Sequence, residues 1–343
     1  MSSRERVELL PLPWAFSWKD FFRTYRRTRA KLRESIGRCR YLQFATWGLA
    51  GDWAAVAALE AIRQRRAYAI HTDNVTHELI RRAARGQSVK RRIKAEIEAP
   101  IMHVLHRYVM RRCALGLWHG YDCYRVYSAY CANNQLIHDV HTKPEDCIPP
   151  WECAAKAREA ESSETLRICY AGRATSIKAP LDWVRAVAHA RDEGANLQAV
   201  WLGDGPMLED LRRLGSELKL GDCFQAPGFV ENRAELLQAL RHAHVMMFTH
   251  LTPESPRCLI EALVSGTPIV GYDNDYARDL VKEGGGVLVP VHDWRKLGEV
   301  VARLASRRDE LADLIRAAGS NGSHFSDEAV FRERSELIKR YLP

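Results

Sequence analysis

Thr252-Pro-Glu-Ser-Pro-Arg-Cys-Leu-Ile-Glu261-Ala-Leu-Val-Ser-Gly-Thr-Pro-Ile-Val270 is the stretch on which the reading of the whole chain turns. It runs from a loop carrying Glu254 into an apolar helix, Pro256–Ser265, which Gly266 ends before a short apolar strand, Pro268–Gly271. A helix placed between a loop and a buried strand is one unit of an alternating α/β fold.

The same alternation extends in both directions. Strands are expected at Leu166–Ala171, Leu197–Leu202, Cys223–Gln225, Val245–Phe248, Pro268–Gly271 and Gly286–Val289. Between them the amphipathic runs Pro180–Asp192, Met207–Lys219, Ala234–His242, Ala277–Glu283 and Trp294–Leu304 read as helices. Strands interleaved with helices make a parallel, doubly wound sheet, whose ligands sit at the carboxyl ends of the strands.

The first half alternates less regularly. Asp20–Cys39 reads as a basic helix, Tyr41–Ala45 as a strand and Trp53–Arg65 as an amphipathic helix. Ala67–His71 follows as a strand, and then one long helical stretch runs from Thr76 to about Arg112. Leu115–Trp118 and Gln135–His138 are further strands, with Asp122–Cys131 helical between them. Lys143–Ser163, with Pro144, Pro149, Pro150 and several charges, reads as an interdomain connector.

At 343 residues, 46% apolar and 27% charged, the chain has the size of two domains and the composition of a globular protein. No apolar run approaches the ~20 residues that span a bilayer, and the N-terminal residues lack the features of a secretory signal. Nine scattered cysteines without a C-x-x-C pair read as reduced thiols in a cytoplasmic protein. The net charge of +8 is concentrated: Lys19–Arg40 holds nine basic and two acidic residues, and Lys90, Arg91, Arg92 and Lys94 form a second run. Such density points to an anionic partner. With Trp14, Phe16, Trp18, Phe21 and Phe22 just ahead of it, the first run suits an anionic membrane surface, or else a helix packing its aromatics inward. No nucleic-acid-binding module accompanies the charge, so nucleic acid is not expected as a partner.

Several residue groups carry chemistry. Gly172, at a strand end, lets backbone approach a ligand; Arg173 offers a planar fork for phosphate oxygens, and Lys178 adds a compact charge. Gly203 lies in the tight turn Leu202–Pro206 (LGDGP), a weak signal alone. The helix start at Ser255–Arg257 presents N–H groups and a positive dipole end to phosphate or sugar oxygens. Glu261, set among Leu259, Ile260 and Leu263, needs partners such as paired ribose hydroxyls. Asp273-Asn-Asp275 resembles a metal-binding triplet but reads as turn residues capping the next helix. His103 with His106, and His138 with His141, lack the clustered ligands of a metal site.

Taken in order, GRATSIK (172–178), LGDGP (202–206), PGFV (227–230), ESPRCLIEALVSGTPIV (254–270) and EGGGVLVP (283–290) resemble the C-terminal domain of retaining family-4 glycosyltransferases of the GT-B fold, over about 140 residues. The resemblance implies an α/β, GT-B-like chain of two Rossmann-type domains. It implies an acceptor-side domain at 1–150, a linker at 151–164, a donor-binding domain at 165–323 and a C-terminal helix at 324–343 packing back towards the first domain. It implies that Arg173 and Lys178 bind the donor diphosphate, that the backbone around Phe229 and Val230 holds the nucleobase, and that Glu261 binds the ribose. Ser255, Arg257, Cys258 and Leu259 would face the distal phosphate and sugar. Tyr68–Asn74 (YAIHTDN) is similar to the family's strand-end histidine segment, which puts His71 on the acceptor side as a catalytic residue together with Glu254.

Two features depart from the family pattern. Six residues separate Glu254 from Glu261, where the family has seven, and Met1–Arg40 shows no strand followed by a Gly-Gly turn, so the acceptor domain reads as shortened or completed by a partner chain. The expected activity is metal-independent, cofactor-free transfer of a sugar from a UDP- or GDP-sugar to a sugar, lipid-linked or other hydroxyl. The setting would be cell-surface polysaccharide or glycolipid synthesis, at the cytoplasmic face of the membrane. A non-catalytic nucleotide-sugar binding subunit and a sugar-nucleotide epimerase are the alternative readings.

Overall fold

The computed structural model describes residues 8–84, 86–251 and 255–342. The chain forms two compact units, one of residues up to Ile137 together with those from Arg334 onward, the other His138–Glu333.

In chain order the first unit holds α1 (Trp18–Arg38), β1 (Gln43–Ala45), α2 (Trp53–Arg63), β2 (Ala69–Thr72), α3 (Thr76–Ala84), α4 (Val89–Met110), β3 (Leu115–His119), α5 (Gly120–Tyr127) and β4 (Asn134–Ile137). The four strands pair in parallel in the order β1-β2-β3-β4. Every residue of β3 is buried, as an inner strand covered on both faces demands. Asp52 caps α2 by accepting from the Ala55 amide at 2.9 Å, and its other oxygen takes the amides of Trp47 and Gly48, each at 2.8 Å. The single long helix expected from Thr76 is two helices packed on each other. Gly86, Gln87 and Ser88 break it, since a glycine followed shortly by an N-cap serine ends one helix and starts the next.

The second unit continues with α6 (Pro150–Ser162), β5 (Leu166–Ala171), α7 (Pro180–Asp192), β6 (Leu197–Leu202), α8 (Leu208–Glu217), β7 (Phe224–Gly228), α9 (Arg233–His242), β8 (Val245–Phe248), α10 (Arg257–Val264), β9 (Ile269–Tyr272), α11 (Asp275–Leu280), β10 (Gly286–Val289), α12 (Trp294–Ser306), α13 (Arg308–Gly322) and the start of α14 (Asp327–Tyr341), whose residues from Arg334 belong to the first unit. Its six strands are parallel in the order β10-β9-β8-β5-β6-β7. The sheet therefore grows one way from β5 through β6 to β7, then resumes on the other side at β8. That reversal, between β5 and β8, is the topological switch point where such sheets open a ligand crevice at their carboxyl edge. The inner strands β8 and β9 are buried throughout, whereas edge strand β7 alternates.

The stretch expected as a connector, 151–164, is instead α6. Cys153, Ala157 and Ala160 are buried in the second unit's core, and Pro150 serves as its first helical residue, where the missing N–H costs nothing. The chain leaves the first unit earlier, after Ile137. At its end α14 delivers Leu337, Ile338, Tyr341 and the buried Leu342 to a cluster with Ala69, Leu115, Leu117 and Ile137 of the first unit.

Candidate functional site

At the carboxyl edge of the second sheet, the loops after β5, β6 and β7 are laced by backbone hydrogen bonds. The Gly172 amide donates to the Leu202 carbonyl at 2.8 Å, the Gly203 amide to the Gly228 carbonyl at 2.8 Å, and the Ala174 amide to the Asp204 carbonyl at 2.9 Å. Glycine is required for this approach: a Cβ on Gly203 would stand 2.0 Å from the Gly172 carbonyl oxygen, and one on Gly205 2.5 Å from that of Ala174.

These loops and α10 enclose a cavity of about 590 Å³. It is lined by Gly172, Arg173, Gly203, Phe229, Val230, Arg257, Cys258 and Glu261, all of them sequence-expected, and also by Asp204, Gly205 and Leu236. Arg173 is exposed, and the Phe229 ring is 75% exposed, an uncommon display for a large aromatic. Arg257 begins α10 and reaches Asp139 at 3.8 Å.

Glu261, 8% exposed, lines the cavity from the middle of α10. Its carboxylate is held by Arg233, whose Nη1 lies 2.6 Å from Oε1. Arg233 opens α9, donates from Nη2 to the His141 carbonyl at 3.2 Å, and stands 3.8 Å from Asp146. A buried carboxylate demands such a partner. The sequence named Glu261 and missed Arg233, whose only signal was a basic residue at the start of a helix.

Other expected residues lie outside the cavity lining. Lys178 is half-buried in a 3-10 turn, Ser176–Lys178, its carbonyl accepting from the Thr249 hydroxyl at 2.7 Å. Beneath that turn, His250 is buried and shares a 2.8 Å hydrogen bond through Nε2 with the Tyr170 hydroxyl. Burial, with the Lys178 charge adding to it, pushes the imidazole well below its ordinary value, so it is neutral. Leu259 is fully buried and packs in the core instead of facing a ligand, because α10 turns that side inward. Ser255 precedes α10 and does not line the cavity, and Glu254 lies outside the described residues.

In the first unit, His71 sits near the end of β2, its Nδ1 2.8 Å from the Gln43 side-chain amide and its ring 5.6 Å from that of His119 on β3. The Asp-Asn-Asp triplet acts as a cap: Asn274 accepts from the Ala277 amide at 2.8 Å, and Asp273 and Asp275 both pair with Arg278. Of the histidine pairs, His138 binds Asp279 at 2.8 Å and His103 contacts the Tyr130 hydroxyl at 3.3 Å.

Residues 154–320 match the model of the family described as Glycosyl transferases group 1. An exopolysaccharide phosphotransferase of Streptomyces coelicolor is 26% identical over 157 residues, covering 45% of this chain and 16% of that one. A D-inositol 3-phosphate glycosyltransferase of Streptomyces bingchenggensis is 27% identical over 217 residues, covering 58% and 45%. The matches thus span under half the length of these curated relatives. Among solved structures, Anabaena HepE in complex with UDP aligns with a TM-score of 0.67 at 15% identity, covering 91% of this chain and 82% of that one. The fold is that of GT-B glycosyltransferase structures, with a parallel sheet in each of two Rossmann-like domains.

Proposed function

We propose that this chain is a glycosyltransferase that binds a UDP- or GDP-sugar in the cavity of its second unit and passes the sugar to an acceptor hydroxyl with retention and without a metal. One observation carries the reading. The switch-point loops bring Gly172, Arg173, Gly203, Phe229, Val230, Arg257 and Glu261 around a single cavity, inside the segment that matches the glycosyl transferases group 1 model. HepE, of the same fold, was captured with UDP.

In this reading the bond between the anomeric carbon and the diphosphate oxygen breaks, the acceptor oxygen bonds to that carbon, and its proton leaves with the nucleotide diphosphate. Arg173, Lys178 and the start of α10 stabilise the charge that builds on the leaving diphosphate. Phe229 and Val230 flank the base, and Glu261, steadied by Arg233, takes the ribose hydroxyls. His71 serves the acceptor, which is a sugar or lipid-linked hydroxyl in cell-surface polysaccharide or glycolipid synthesis.

The test is turnover of the best-binding donor with hydroxyl acceptors, with and without chelator, and the anomeric configuration of the product read by NMR. Retention in the presence of chelator supports the proposal. Tight donor binding with no transfer makes the chain a binding subunit, and isomerised donor without acceptor makes it an epimerase; either result overturns it.

A further inference from the structure

Helix α4 has two apolar faces, and only one of them is covered. Ala95, Ala99, Met102, His106, Val109 and Met110 are buried. On the opposite side Val89, Ile93, Ile97, Ile101, Val104 and Tyr108 are between 42% and 69% exposed. At 3.6 residues per turn these six fall within an arc of about 120° and form a stripe roughly 28 Å long. β-Branched residues repeated at this spacing, each more than half exposed, are not accounted for by the packing of the first unit, so the stripe has to be explained by something it meets.

Its charge selects the occupant. Lys90, Arg91, Arg92 and Lys94 are all exposed in the first turns of α4, while its two glutamates are engaged, Glu96 with Arg81 at 3.3 Å and Glu98 with Lys94 at 3.7 Å. A second copy of the chain docked face to face would bring these cationic ends against each other. An anionic lipid surface pairs with them and accepts the aliphatic stripe among its acyl chains. Beside α4 the surface continues in aromatics: Trp18 donates from its indole N–H to Glu98 at 3.3 Å and stacks on Phe22, which is 67% exposed. Tryptophan at the edge of an aliphatic stripe suits the headgroup level of a bilayer.

We propose that α4, with Trp18 and Phe22 at its side, is a face by which this chain lies flat on an anionic membrane. The proposal is independent of the donor site. Among the described residues no helix is long and apolar enough to cross a membrane.

The experiment is co-sedimentation of the full chain with phosphatidylserine-containing and with pure phosphatidylcholine vesicles, over a range of salt. One variant replaces Ile93, Ile97 and Ile101 by Gln; a second replaces Lys90, Arg91, Arg92 and Lys94 by Gln and leaves the stripe intact. The native chain is expected to bind the anionic vesicles, less so as salt rises, and hardly to bind the neutral ones. Each variant is expected to partition on the order of 100-fold more weakly, with circular dichroism and nucleotide-sugar binding unchanged. Equal binding to both vesicle types, or folded variants that bind as the native chain does, would overturn the proposal. So would a native dimer that the isoleucine variant dissociates while neither protein binds vesicles, since a second copy would then be the occupant.

Discussion

Gly203→Ala tests the loop lacing on which the cavity depends. The added methyl would stand 2.0 Å from the Gly172 carbonyl oxygen and 2.6 Å from its carbonyl carbon, both backbone atoms that no rotamer change can move aside. Reaching even a tight 3.0 Å contact means parting the β5 and β6 loops by about 1 Å. Two backbone hydrogen bonds, from Gly172 to Leu202 at 2.8 Å and from Ala174 to Asp204 at 2.9 Å, hold those loops together. Losing both costs about 2 kcal/mol. Alanine at a φ of +154° adds about 1–3 kcal/mol of strain. Together these give about 3–5 kcal/mol, or a fall in Tm of roughly 6–20 °C for a unit of this size. Differential scanning calorimetry reads the stability, and titration calorimetry reads nucleotide-sugar binding, which should weaken at least about tenfold because Gly172 and Gly203 form the cavity wall. Gly48→Ala is the control, for its added Cβ meets nothing within 4 Å. A Gly203→Ala protein that melts within about 2 °C of the native chain and binds donor equally well refutes the reasoning.

Arg233→Met should destabilise the protein by about 1–3 kcal/mol, between the values for surface and buried pairs, because Glu261 is buried while Arg233 is half-exposed. It should also weaken donor binding; Arg233→Lys should restore it only in part, since the guanidinium also reaches the His141 carbonyl. Unchanged donor affinity in Arg233→Met would remove Arg233 from the site. Lys156 offers a pH test: its ammonium is turned inward to the Ser265 carbonyl and the Thr267 hydroxyl, and burial lowers its pKa to about 7. The unfolded chain therefore binds more protons between about pH 7 and 10, and native stability should rise across that window relative to Lys156→Met. Parallel Tm-against-pH curves for the two proteins would contradict this.

How far the sequence could be read depended on burial and on separation along the chain. β5, β6, β8 and β10 emerge from their apolar runs with their ends in place; β8 is buried throughout and β5 nearly so, which leaves a continuous apolar signal, while the less buried β6 and edge strand β10 are delimited by the glycine and proline turn residues that follow them. β7 was misplaced by a few residues because, at the sheet edge, it is only alternately buried. The break between α3 and α4 rested on one glycine and a serine inside a pattern that otherwise continued. The connector reads as a loop because three prolines, Pro144, Pro149 and Pro150, stand beside charges, and only the buried Cys153, Ala157 and Ala160 reveal a helix. Within the site, local motifs exposed Gly172, Arg173, Phe229 and Glu261. Arg233 stayed hidden because its tie to Glu261 joins residues 28 positions apart on different helices. Likewise, the methyl-free contact of Gly203 with Gly172 is made between two loops, and neither loop records it alone.

The most direct test of the donor site is titration calorimetry with UDP-, GDP- and ADP-sugars on the native chain, Arg173→Ala and Glu261→Ala. Saturable binding of a UDP- or GDP-sugar is expected, weakened about 10- to 150-fold by each substitution, the worth of one hydrogen bond to a charged group. A best-binding donor held equally tightly by all three proteins would contradict it.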